Sequence, residues 1–294
     1  MKSISPPRLP SRHACRTLAI IPLLLGLNGC GYLISSATED FSTRLKQAVM
    51  EHDDPETVTG ALPAYLLLQE AQILGDADNE SLLFSTANLY GAYLGLLPDD
   101  PVRKRRLSQK SLDFALRAAC VHDDKWCGLQ QKSFDDLRPL IEQTDADDTD
   151  RLYGIATAWA AWIQANKDNW NAIAQLAQVK LLMQRVLELD DTYKQGSAHV
   201  YMGVLESLVP ENLGGKPELA QQHFQRASAL APDNLMTSVL YAKHYARMVF
   251  DRDLHDTLLK STLNAKPTAP GLTLINTLAQ QQAQQLLDSA DDYF

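Results

Sequence analysis

Ala, Leu, Gln and Glu return at three- and four-residue steps along almost the whole chain, while the strict apolar–polar alternation of a half-buried strand is nearly absent. A chain patterned this way can bury a core only by packing helix on helix, so the fold class is all-α. With 294 residues, 45% of them apolar, there is enough material for a sizeable core. Two boundaries are marked chemically. Asp54-Pro55 and Asp100-Pro101 each pair an N-capping carboxylate with a proline at the first helical position, where a missing N–H costs nothing. Helices are expected at about 55–74, 80–96, 101–121, 150–166, 169–189, 195–208, 217–230, 234–250, 253–264 and 272–290, with a short one near 39–51.

Paired helices with short connections invite a search for repeats. Ala220, Phe224, Ala227 and Pro232 carry the small–aromatic–small–proline spacing of the second helix of a tetratricopeptide repeat. Small residues let neighbouring helices approach, the aromatic ring fills the gap, and proline ends the helix. Tyr201 and Gly203 would lie on the preceding helix, separated from it by a lengthened loop, VPENLGGKPE. Pro267 follows Pro232 by one repeat length, and a looser pair covers Tyr153 to Asp191. The expected architecture is a helical array of degenerate tetratricopeptide-like (TPR-like) helix-turn-helix repeats.

The N-terminus reads differently. Lys2, Arg8, Arg12 and Arg16 precede an apolar run from Leu18 to Leu27, with no acidic residue among them. That run is about half of the roughly 20 residues needed to span a bilayer, and the order basic, apolar, small is that of an export signal. It ends in Leu27-Asn28-Gly29-Cys30, which resembles the lipobox of bacterial lipoproteins, although Asn28 is an unusual filler. The resemblance implies cleavage before Cys30 and lipid on its sulfur. Because one acyl chain holds only marginally, a multiply acylated Cys30 is what would tether the body to a membrane. Gly31 in place of Asp favours the outer membrane. The expected organisation is a signal peptide over 1–29, a lipidated tether over 30–38 and one all-helical domain over 39–294.

Without residues 1–29, 23 basic residues face 36 acidic ones, a net charge of −13. Such a surface repels nucleic acid and anionic headgroups. Two cysteines then remain besides Cys30, namely Cys120 and Cys127. In an oxidising compartment they are expected to pair, the alternative being two buried thiols. Seven positions along an unbroken helix separate Cα atoms by about 10 Å, whereas a disulfide needs less than about 7 Å, so pairing requires the helix to end within 121–126.

No catalytic constellation assembles. Gly214-Gly215-Lys216 is followed by Pro217 rather than Ser or Thr and has no strand before it, so it reads as a turn opening a helix and not as a phosphate loop. The acidic stretch DADDTD at 145–150 lacks the sixth-position glycine and closing glutamate of a calcium loop. The seven histidines show no HExxH, and GxSxG is missing. No metal, cofactor or catalytic residue is expected. The aromatics are more informative. YGIATAWAAWIQ sets Tyr153 and Trp159 on one helical stripe with Trp162 beside it, and ANLYGAYLG holds Tyr90 and Tyr93. Each reads either as core packing or as the lining of a groove or pocket for a peptide or apolar ligand.

Several stretches together resemble one family, the TRAP-transporter T component, also called TatT: ETVTGALPAYLLLQEAQI (56–73), ANLYGAYLG (87–95), AWAAWIQANKDNWNAIAQL (158–176), LMQRVLELDDTYKQGSAHVYMGVL (182–205) and LGGKPELAQQHFQRA (213–227). Cys120 and Cys127 are not part of that resemblance. It implies a periplasmic lipoprotein with an α-helical, TPR-like body that trimerises around a central channel. A periplasmic solute-binding protein of a TRAP transporter would be its partner, with hydrophobic or organic acids as ligands, and no catalytic residue carries over. The expectation is a membrane-anchored accessory scaffold, not an enzyme, on the periplasmic side of a Gram-negative membrane. The rival readings are a general cell-envelope adaptor for assembling outer-membrane proteins or lipoproteins, and a cell-wall hydrolase, which would need two convergent carboxylates.

Overall fold

The computed structural model describes residues 44–97, 100–209, 211 and 214–294. The chain divides into two compact units, Met1–Val49 and Met50–Phe294. Of the first, residues 44–49 are described and helical. The expected signal peptide, Cys30 and the tether lie outside the described residues.

Among the described residues there is no strand, and the all-α expectation holds. The principal helices are α1 (Pro55–Gly75), α2 (Glu80–Leu96), α3 (Pro101–His122), α4 (Phe134–Glu142), α5 (Thr149–Ala165), α6 (Leu176–Leu189), α7 (Tyr193–Glu206), α8 (Pro217–Leu230), α9 (Leu235–Leu240), α10 (Arg252–Asn264) and α11 (Thr273–Asp288). Both expected proline starts are present. The Asp54 side chain accepts from the Glu56 N–H at 3.0 Å, and Asp100 from the Arg103 N–H at 2.9 Å. Helices neighbouring in sequence mostly pack on one another: α2 on α3, α5 on α6, α6 on α7, α7 on α8, α10 on α11. The largest core lies between α3, α5 and α6, where Leu112, Leu152, Ile155, Trp159, Val179 and Leu182 are sealed from solvent. Each aliphatic side chain buried this way contributes about 1.5–3 kcal/mol.

At the α7–α8 pair, Ala220, Phe224 and Ala227 all face inward. A Cβ at Gly203 would lie 2.9 Å from the Phe224 ring, so this glycine is what lets α7 approach that ring. The DADDTD stretch forms a reciprocal cap, Asp145 accepting from backbone ahead of it and Asp148 reaching back to the Asp145 N–H at 3.2 Å. That cap closes the 3₁₀ turn Ala146–Asp148, which leads directly into α5.

Three elements depart from expectation. The helix expected over 169–189 is broken into Trp170–Ile173 and α6. Gln175, between them, accepts from the Trp159 indole N–H at 2.7 Å, giving a buried donor its partner. The helix expected over 234–250 changes at Tyr241–Ala246 into a π-helical turn. Finally, α4 was not expected, and it carries Pro139 inside it. Leu137 and Ile141 lie one turn apart and are fully buried, Ser133 caps the start, and that burial outweighs the one backbone hydrogen bond that proline forfeits.

Candidate functional site

Cys120 and Cys127 are joined, with Cα atoms 4.4 Å apart. α3 ends at His122, Asp123 caps a single 3₁₀ turn by accepting from the Lys125 N–H at 2.9 Å, and that turn drives Trp126 into the main core. The bridge thus fixes how the chain leaves α3.

Of the five candidate aromatics, three are packing residues. Trp159 is fully buried. The Tyr90 ring stacks on Phe114 at 5.9 Å, and its hydroxyl donates to Glu70, which also pairs with Lys110 at 2.6 Å. Tyr93 is buried too and accepts from the Arg103 guanidinium. All three are engaged in contacts within or between helices. Trp162 is half-buried and donates to Gln109 at 2.7 Å.

Tyr153 belongs to a different arrangement. Its ring meets Tyr193 edge-on at 5.1 Å and 61°, and Tyr201 at 5.7 Å and 87°. α5 supplies Tyr153 and Asp150, while α7 supplies Tyr193 and Lys194 at its start and Tyr201 two turns further on. The Lys194 ammonium stands 4.7 Å from the Tyr153 centroid and 5.0 Å from that of Tyr193, and 3.3 Å from the Asp150 carboxylate. Tyr193 donates to the same carboxylate. Burial, first, raises all three phenols above their ordinary range, assisted at Tyr193 by Asp150, so the rings stay neutral. The Asp150 carboxyl is held low, first by the Tyr193 hydrogen bond and then by Lys194, and stays charged.

The backbone carrying this cluster is unusual. Lys194, Gln195 and Gly196 have φ values of 46°, 55° and 82°, a left-handed turn of three residues. Each non-glycine residue in that region costs about 1–2 kcal/mol. Several contacts hold the turn: Asp190 accepts from the Thr192 N–H at 2.9 Å, Ser197 donates to the Lys194 carbonyl at 2.8 Å, and Asp191 pairs with His199 at 2.9 Å and with Arg226. A half-exposed cation over such rings returns roughly 0.5–1 kcal/mol. Sequence reasoning singled out Tyr153 but missed Tyr193, Lys194 and Tyr201. The helix was expected to begin at 195, and Gly196, following two polar residues at that start, was the available signal of a left-handed turn.

Two concavities lie elsewhere on the surface. One, of about 520 Å³, is lined by Arg105, Asn166, Asp168, Asn169, Trp170 and Asn171, with Trp170 78% exposed. The other, about 350 Å³, includes Leu208, Val209, Met248, Tyr293 and His244 from the π-helical turn. Burial, then Lys243, pushes the His244 imidazole down to about 4, so it is neutral near pH 7. Among the described residues, no group of three or more His, Cys, Asp or Glu is placed to hold a metal ion. No described helix is long and apolar enough to cross a membrane.

These features define an all-helical protein whose surface offers aromatic and mixed concavities. The model of the TRAP transporter T-component family matches residues 51–294, and the chain belongs to that family. It is thereby associated with a TRAP transport system, as a component of the transporter. No curated protein matches the chain.

Proposed function

We propose that the chain is a membrane-tethered scaffold of a TRAP-type transport system that docks a periplasmic solute-binding protein and helps hand over its ligand. In this reading it is not an enzyme. Lipid on Cys30 holds it at the periplasmic face of a Gram-negative membrane, the outer rather than the inner one. The observation that carries the reading is the family match along residues 51–294, which runs through every helix from α1 to the end of the chain. Tethering restricts the body to a surface and so raises its effective concentration towards a partner there, without any new contact. A trimer multiplies the docking sites.

The test is purification of the full-length protein from its native membrane in mild detergent, with mass spectrometry of what accompanies it and Cys30→Ala as the control. Enrichment of a solute-binding protein or transporter subunit, reduced in the control, is the expected result. Repeated enrichment of outer-membrane assembly factors with no transport component would sink the reading in favour of an envelope adaptor.

A further inference from the structure

The ring faces of Tyr153 on α5 and Tyr193 on α7, inclined at 61°, form two walls of an open box with the Asp150 carboxylate beside them, while Tyr201 packs against Tyr153 at 87°. An ammonium in that box meets both faces at once. Ring faces carry negative quadrupole charge, and Asp150 adds a full negative charge on an exposed residue. That combination is the general recognition chemistry of an alkylammonium group. The box already contains one: the Lys194 ammonium fits between the Tyr153 and Tyr193 faces at 4.7 and 5.0 Å.

We propose that this box is a binding site for an alkylammonium group supplied from outside, and that Lys194 is its built-in competitor. Two observations favour a site over a simple surface clip. Asp190, Asp191 and Ser197 hold the turn independently of the Lys194 side chain. That side chain is also 49% exposed, so it leaves the box by rotating into solvent without disturbing the core. The net charge of −9 draws cations towards the surface. The ammonium is either that of a small quaternary amine or that of a lysine on a partner protein. The proposal concerns this site alone and does not rest on the transport reading.

Calorimetric titration of the full-length protein in mild detergent separates the outcomes, with tetramethylammonium as one probe and Nα-acetyl-lysine methylamide as the other. Lys194→Ala removes the competitor and is expected to raise affinity for at least one probe about tenfold over the parent, a gain that adding Tyr153→Leu abolishes. A gain confined to tetramethylammonium assigns the site to small quaternary amines, one confined to the lysine probe assigns it to a partner's lysine, and a gain for both makes the ammonium itself the determinant. No gain for either probe, in a variant that still melts cooperatively, overturns the proposal. A check that needs no variant is acylation of Lys194 in the parent, measured by peptide mass spectrometry against Lys167. Tetramethylammonium should increase it several-fold and sodium chloride at equal ionic strength should not, whereas unchanged reactivity under both salts overturns the proposal.

Discussion

Leaving α3, the chain turns through Asp123–Cys127 inside a covalent bridge and sinks Trp126 into the main core; leaving α6, it turns through Asp190–Gly196 on three left-handed residues, held by charged contacts. The first turn has ordinary backbone up to Gly128, and the bridge limits what the unfolded chain can explore. The second stores backbone strain and offsets it with interactions that salt, protons or a competing cation can exchange. One connection is built to stay closed, and the other is where the molecule changes at low cost.

Four changes would break or sharpen this contrast. The largest effect is expected at Gly196, where an added Cβ would sit 2.9 Å from Leu230 on a backbone at φ 82°. Gly196→Ala should cost about 3 kcal/mol, read as a lower urea midpoint at unchanged slope. Next, removing the bridge with Cys120→Ser and Cys127→Ser should cost about 2.5 kcal/mol, and reductant should lower the melting temperature of the parent but not of that variant. Gln195→Gly should act in the opposite direction. It relieves a left-handed non-glycine residue at some cost in unfolded-chain entropy, for a net stabilisation of about 0.5–1 kcal/mol by the same urea assay. A destabilised Gln195→Gly would show that the turn is not strained.

The smallest effect is the share of the pH dependence that belongs to the second turn, which adds to that of buried His244 elsewhere. His199 and His223 are hydrogen-bonded through their Nδ1 atoms at 2.8 Å, and His199 also contacts Asp191. Burial, and then His199, hold the His223 imidazole below its ordinary value of about 6.5. As pH falls through that value the unfolded chain takes up the proton first, so the stability His223 lends is present above it and lost progressively below it, until the folded ring protonates too. Urea midpoints at pH 7.5 and 5.5 should therefore differ, and His223→Gln should narrow the difference. An undiminished difference would place the sensitivity elsewhere.

The sequence made the helices legible where local chemistry and burial agree. Asp54-Pro55, Asp100-Pro101 and Lys216-Pro217 mark real starts, and Ala220, Phe224 and Ala227 pack as their spacing requires. It misled where a distant contact decided the outcome. Pro139 is tolerated because Leu137 and Ile141 are buried against other helices, and the break before α6 supplies an acceptor to an indole from another helix. The aromatic site was half legible for the same reason. Tyr153 stands out on its helix, but its partners arrive from 40 residues further along, on a left-handed turn that side-chain periodicity cannot report.

The central claim is a physical partnership with a solute-binding protein, and native mass spectrometry of the detergent-extracted complex tests it most directly. The account predicts a species whose mass is that of the lipid-modified chain, as a trimer, plus bound solute-binding protein, accompanied by the loss of the lipid mass in Cys30→Ala. A lipid-free chain that carries no transport protein under the same extraction would contradict it.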